Sequence, residues 1–139
     1  MNEHVTARIL IVDDNLNALK GLTRIIRSAG HIAIEASNGS QCLTLAKTLK
    51  PDLILLDVML PDIDGRDVCK ILKSDPETSG ILVVMLSSLF TESEIQSAAL
   101  ELGADGYIAR PVPNRELLAR VNALIRIKFT ERMLEDALA

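Results

Sequence analysis

The stretch from Pro51 to Gly65, Pro-Asp-Leu-Ile-Leu-Leu-Asp-Val-Met-Leu-Pro-Asp-Ile-Asp-Gly, constrains the fold of this chain more than any other. Leu53 to Leu56 is apolar at every position, begins just after a proline, and ends on the carboxylate of Asp57. A short strand that is apolar on both sides needs cover on both faces, so it belongs in the middle of a sheet between two layers. A carboxylate at the end of such a strand falls at the rim where open parallel sheets place their ligands. Taken alone, Asp57 reads equally well as the solvated start of a turn.

Its neighbours change that balance. Ile9 to Val12 is a second apolar run and leads into Asp13, Asp14 and Asn15; either Asp14 or Asn15 can cap the helix that follows. Leu16, Leu19, Leu22, Ile25, Ile26 and Ala29 recur at helical spacing, and Gly30 closes the pattern. Ile32 to Ile34 is a weaker strand. Asn38-Gly39-Ser40 is a turn and cap, and Leu43, Ala46 and Leu49 form one helical face stopped before Pro51. Val68, Ile71 and Leu72 mark a third helix, and Ser74 to Gly80, with Pro76, reads as a loop. Ile81 to Leu86 is another apolar strand, ending at Ser87 and Ser88. Thr91-Glu92-Ser93-Glu94 has capping-box form, Ile95, Ala98, Ala99 and Leu102 follow at helical spacing, and Gly103 closes that helix. Tyr107 to Ala109 is a last short strand before Arg110-Pro111, and Asn114 can cap a final helix.

Five strand–helix units in succession predict an α/β domain with a parallel sheet covered on both faces, its crossovers right-handed. The 139 residues suffice for one such domain with its own core. A net charge of −4 argues against a nucleic-acid surface. Cys42 and Cys69 have no zinc-site or disulfide spacing and point to a reducing cytosol. No apolar run reaches the ~20 residues of a membrane span, and the N-terminus lacks a signal-peptide core. A cytoplasmic location is expected.

In this topology the functional edge is the C-terminal ends of the strands, where Asp13, Asp14, Asp57, Ser87 and Arg110 fall. Crowded carboxylates repel one another, and a hard divalent cation such as Mg2+ relieves the repulsion. An Asp beside such an ion can act as a nucleophile towards phosphorus. Phosphoryl transfer then requires positioning and charge neutralisation, which a Ser87 hydroxyl and an Arg110 guanidinium supply. Each residue has an ordinary alternative: Asp13 and Asp14 as a helix start, Ser87 as a turn residue, Arg110 as a solvated charge. It is their joint placement that favours the chemistry.

Four motifs in this order, Ile-Leu-Ile-Val-Asp-Asp, the Pro51–Gly65 stretch, Val-Met-Leu-Ser-Ser and Gly-Ala-Asp-Gly-Tyr-Ile-Ala-Arg-Pro, are together highly specific. From about Arg8 to Lys128 the chain resembles the receiver domain of two-component response regulators (CheY-like). The resemblance implies a doubly wound, flavodoxin-like five-stranded parallel sheet of order 2-1-3-4-5 with five helices. It implies Asp57 as phosphoacceptor, Asp14 as a direct Mg2+ ligand, Asp13 as a ligand through water, and the Met59 carbonyl as a third protein ligand. Ser87 is then the switch hydroxyl, Tyr107 the switch aromatic, and the Arg110–Pro111 bond cis. The phosphodonor is a phosphohistidine on a partner histidine kinase or phosphotransfer protein. Phosphorylation is expected to pull Ser87 inward and repack the face made by the fourth helix, fifth strand and fifth helix.

The family usually has Lys where this chain has Arg110, a planar fork in place of a compact point charge. The helix from Asn114 also continues past the usual end near Lys128 and predicts a rod of about 39 Å at ~1.5 Å per residue. Residues 1–128 are therefore expected to form the receiver domain, and 129–139 a helical extension to a downstream output domain or to a second copy in a homodimer. Ile127, Leu134 and Leu138, with Phe129 and Met133, are its apolar stripes. The resulting expectation is a signalling module that catalyses only its own phosphoryl transfer and dephosphorylation. A docking module working without phosphorylation is the alternative. An Asp-nucleophile phosphatase is disfavoured because Met59 occupies the place of its second Asp. A flavin-binding protein is disfavoured by the lack of a Ser/Thr/Gly-rich loop after the first strand.

Overall fold

The computed structural model describes residues 5–88, 94, 97 and 101–138. Strands β1 (Arg8–Val12), β2 (Ile32–Ala36), β3 (Leu53–Asp57), β4 (Leu82–Ser87) and β5 (Gly106–Ala109) pair in parallel in the order β2-β1-β3-β4-β5. The described helices are α1 (Leu16–Ser28), α2 (Gly39–Leu49), α3 (Gly65–Ser74) and the C-terminal α4 (Asn114–Leu138). Of the five helices expected, the one between Thr91 and Gly103 lies largely outside the described residues.

The apolar runs are buried on both sides because the pleat sends alternate residues into separate cores. Leu10, Val12, Ile54, Leu56, Val83 and Met85 face Cys42 and Ala46 of α2 and Val68 and Leu72 of α3. Ile9, Ile11, Leu53, Leu55, Val84 and Leu86 face Leu19 and Ile26 of α1 and Leu117, Val121 and Ile125 of α4. Both cysteines are free and buried, and burial pushes the Cys42 thiol up to about 12, which keeps it protonated and inert.

Local signals set the helix ends. Asn15, and not Asp14, caps α1, its Oδ1 accepting from the Ala18 N–H at 3.0 Å. Asn38 caps α2 in the same way at 2.8 Å. The next two N–H groups of α2, of Gly39 and Ser40, donate to the two carboxylate oxygens of Asp62 at 2.8 and 2.9 Å. That carboxylate comes from the loop after β3, so the loop is tied down by the positive end of a neighbouring helix. At α4 the expected cap moves by one residue. Asn114 is already helical, and the Pro113 carbonyl accepts from the Leu117 N–H at 3.0 Å. A proline loses nothing just before the first turn, where its missing N–H has no partner to find.

Helix α4 runs for 25 residues. Lys128 donates to the carbonyls of Asp52 and Gly80, both at 3.0 Å, and so fastens α4 to the N-terminal edge of the sheet. Phe129 still packs against the core, with the Arg132 guanidinium 5.2 Å from its ring centroid. Beyond this point Met133, Leu134 and Leu138 are exposed, as is Ile127 before it.

Two glycines make opposite demands. A Cβ on Gly65 would run into the Asp57 carbonyl oxygen and lie 2.8 Å from the Val58 Cα, both backbone atoms that cannot move aside cheaply. A Cβ on Gly21, inside α1, meets nothing within 4 Å. Gly65→Ala should therefore cost about 1–3 kcal/mol by overpacking, and Gly21→Ala should add up to about 1 kcal/mol through helix propensity. Urea titration of both variants checks this; a Gly65→Ala protein as stable as the parent would contradict the close packing of the loop after β3.

Candidate functional site

Strand register builds the site as a staircase. Val12 lies level with Leu56, so Asp13 follows level with Asp57, which pairs with Leu86. Ser87 is one step further along β4 and level with Ala109, which places Arg110 one step beyond that. Backbone bonds extend the ladders past the strands: Asp13 N–H donates to the Ala36 carbonyl at 3.1 Å, and Arg110 N–H to the Ser87 carbonyl at 2.8 Å. Side-chain alternation then divides the residues. Asp13, Asp57 and Arg110 follow the parity of Ile11, Leu55 and Ile108, whereas Ser87 and Tyr107 follow the face of Met85.

One open cleft at this edge is lined by Asp13, Asp14, Asp57, Met59, Ser87 and Arg110, together with Asn15, Ala18 and Ser88. Carboxylate oxygens of Asp13, Asp14 and Asp57 all lie within 4.8 Å of one another. The Arg110 guanidinium bridges two of them, Nη1 to Asp13 Oδ2 at 3.0 Å and Nη2 to Asp57 Oδ1 at 3.3 Å. Asp13 is buried, and its Oδ1 also accepts from the Asn15 N–H at 3.0 Å. Asp57 Oδ1 also accepts from the Met59 N–H at 3.2 Å. Burial raises the Asp57 pKa; Arg110 and the Met59 N–H oppose that shift, and Asp13 and Asp14 add to it.

The donor set fits a hard divalent cation. It is all oxygen, it carries three carboxylates in close reach, and it opens to water that a six-coordinate ion such as Mg2+ retains. The Asp14 carboxylate is exposed at the mouth of the cleft.

Tyr107 stands outside this cleft, with its hydroxyl buried and without a hydrogen bond of good geometry among the described residues. Burial raises its phenol pKa; Arg66 opposes the shift first, then the neighbouring Ser87 hydroxyl. Ser87 thus stands between the carboxylate cleft and the Tyr107 ring. The Arg110–Pro111 bond is cis. Asn15 was legible only as a helix cap, although its N–H also orients Asp13; the short Asp-Asp-Asn spacing carries that signal.

Comparison with known proteins assigns the class. The fold matches a CheY-like response regulator receiver domain protein from Methanospirillum hungatei with a TM-score of 0.83, at 26% identity, covering 91% of this chain and 99% of that one. A signal receiver domain of a signal transduction histidine kinase from Syntrophus aciditrophicus matches at 0.79 and 30% identity, covering 87% and 91%. The family model described as the response regulator receiver domain matches residues 9–122. The chain belongs to that family, and is a signalling module of two-component systems rather than a metabolic enzyme. It is 43% identical over 119 residues to the DNA-binding response regulator MtrA of Mycolicibacterium paratuberculosis, covering 86% of this chain and 51% of that protein. It is 43% identical to the alkaline phosphatase synthesis transcriptional regulatory protein PhoP of Bacillus subtilis, covering 86% and 48%. The chain spans about half the length of the curated relatives it matches. Among the described residues no helix is long and apolar enough to cross a membrane.

The raised Asp57 pKa has a consequence for stability. Folded Asp57 keeps its proton to higher pH than the unfolded chain does, so its contribution to stability falls as pH rises through the folded pKa. Asp57→Asn removes the cost of the buried charge. The variant should be more stable than the parent at pH 7, and the gap should close as pH falls below about 4, the unfolded carboxylate range. Denaturant titrations across this window measure it. A variant less stable at pH 7 would show that the Arg110 ion pair outweighs burial.

Proposed function

We propose that this chain is a cytoplasmic, phosphorylation-controlled receiver that accepts a phosphoryl group on Asp57 from a phosphohistidine of a partner histidine kinase or phosphotransfer protein. The observation that carries this reading is the bridging of Asp13 and Asp57 by Arg110 in a cleft where three carboxylates converge. Asp57 Oδ1 is engaged by two donors, which leaves Oδ2 as the attacking oxygen. The new bond joins Oδ2 to phosphorus, and the bond from phosphorus to the donor imidazole nitrogen breaks with its electron pair going to that nitrogen; the proton on the ring's other nitrogen makes the leaving group a neutral imidazole. Asp13, Asp14, Asp57 and the Met59 carbonyl would hold Mg2+, which supplies charge neutralisation for the phosphoryl oxygens when bound.

Arg110 and the Ser87 hydroxyl receive the phosphoryl oxygens. Movement of Ser87 towards them takes it from the Tyr107 hydroxyl and couples the chemistry to the opposite side of β4 and β5. Hydrolysis of the acyl phosphate in the same cleft resets the state. The exposed stripe of Ile127, Met133, Leu134 and Leu138 passes the change to a second copy or to a downstream output segment.

Incubation with acetyl phosphate and Mg2+ should add the mass of one phosphoryl group, read by intact-mass spectrometry. Asp57→Asn should abolish the gain, and chelation of Mg2+ should reduce it strongly. Ser87→Ala should retain labelling but lose most of the phosphorylation-induced NMR shift at Tyr107. An unlabelled parent protein under these conditions would favour the docking module that works without phosphorylation.

Sedimentation of the chain and of a truncation ending at Lys128, each with and without a phosphoryl mimic, tests the extension. The full chain should associate when mimic-bound and the truncation should not. Monomers in every condition would remove the homodimer.

A further inference from the structure

We infer that Asp62 is a positioning residue of the cleft: by gripping the N-terminus of α2 it sets where the loop after β3 presents the Met59 carbonyl to an ion. This rests on the reading of the cleft as a divalent-cation and phosphoryl site. The loop runs from Val58 to Asp64, between β3 and α3. Its ends are drawn together by the Gly65 N–H, which donates to the Val58 carbonyl at 2.7 Å. Met59 lines the cleft, and its side chain is exposed, so packing does little to fix it. Pro61 follows and has no N–H to donate. Next comes Asp62, whose two carboxylate oxygens accept from two successive N–H groups of α2, Gly39 at 2.8 Å and Ser40 at 2.9 Å.

Three features make this a grip. Each oxygen has its own donor, so the carboxylate is fixed in angle as well as in distance. The donors stand at a helix N-terminus, where backbone partial charge favours an anion, and they hold the Asp62 carboxyl below the usual carboxylate range. The approach is also close. A Cβ on Gly39 would lie 3.1 Å from the Ile63 Cβ and 3.3 Å from Asp62 Oδ1, so glycine at this place leaves room for the loop. The element gripped is itself fixed, because Cys42 and Ala46 of α2 are buried in the core. Asn38 offers a contrast. Its Oδ1 accepts from the Gln41 N–H of the same helix, so Asn38 serves α2 alone, whereas Asp62 serves both α2 and the loop. Without Asp62 the loop keeps its closed ends, but its middle moves and carries the Met59 carbonyl with it. Groups that orient a ligand without touching the metal commonly change metal affinity by about 10–100-fold.

The test compares Asp62→Ala, Asp62→Asn and Asn38→Ala with the parent chain by two readouts. One is the NMR order parameters of the Met59, Leu60 and Ile63 amides without added Mg2+; the other is calorimetric titration of MgCl2. Both alanine variants remove a cap of α2, and both should lower the melting temperature. Only Asp62→Ala should loosen the loop, its order parameters falling from about 0.85 to below about 0.6. Only Asp62→Ala should weaken Mg2+ binding, by on the order of tenfold. Asp62→Asn, which keeps one acceptor oxygen, should fall between it and the parent. Unchanged order parameters in Asp62→Ala, unchanged Mg2+ affinity in it, or an equal loss of affinity in Asn38→Ala would overturn the inference and leave Asp62 a helix cap. Asp57 labelling by acetyl phosphate is scored on the parent. A parent that binds Mg2+ and is labelled, with affinities equal across the variants, sinks the role of Asp62 alone. A parent that binds no Mg2+ sinks the reading of the cleft and the inference with it.

Discussion

The structure depends on a repulsion that it creates and then offsets. Parallel strands deliver Asp13, Asp14 and Asp57 to one edge, close enough that their oxygens fall within 4.8 Å of one another. Burial raises the energy of the charged Asp57, and its two acidic neighbours raise it further. The Arg110 guanidinium, bridging Asp13 and Asp57, supplies a permanent positive charge that offsets part of this repulsion.

The sheet makes this tension useful. Side-chain alternation puts Asp13, Asp57 and Arg110 on the face lined by α1 and α4, while Ser87 and Tyr107 follow the face lined by α2 and α3. The end of β4 is therefore a hinge point between the two layers. The Ser87 hydroxyl is one of the polar groups, with Arg66 and Asp64, that act on the buried Tyr107 phenol. Tyr107 lies on β5, the strand at the sheet edge.

Much of this was legible in the chain because the physics is local. Fully apolar runs of four to six residues require two covering layers, and the polar residue that ends each run falls at the same edge. Asp13, Asp14, Asp57 and Ser87 follow from that rule, Arg110 from its place after the shorter Tyr107–Ala109 strand, and the resemblance adds Met59 and Tyr107. Contacts between distant residues were not legible. Asp62 caps a helix that starts 23 residues earlier, and nothing in Pro-Asp-Ile-Asp-Gly distinguishes it from Asp64, which caps its own helix. The bridge from Arg110 to Asp13 spans 97 residues and appears only once register is known. Gly65 reads as an ordinary loop end until a Cβ is placed against the Asp57 carbonyl. Phe129 reads as part of the exposed extension, yet it packs against the core.

The central claim is that the edge charges converge on one reactive carboxylate. Trapping the acyl phosphate tests it most directly: phosphorylate the chain, reduce with borohydride, and map the modified peptide by tandem mass spectrometry. The account predicts a single reduced aspartate at position 57, dependent on Mg2+ during phosphorylation. Reduction at Asp13 or Asp14, or no reduced aspartate in a chain that has gained phosphoryl mass, would contradict it.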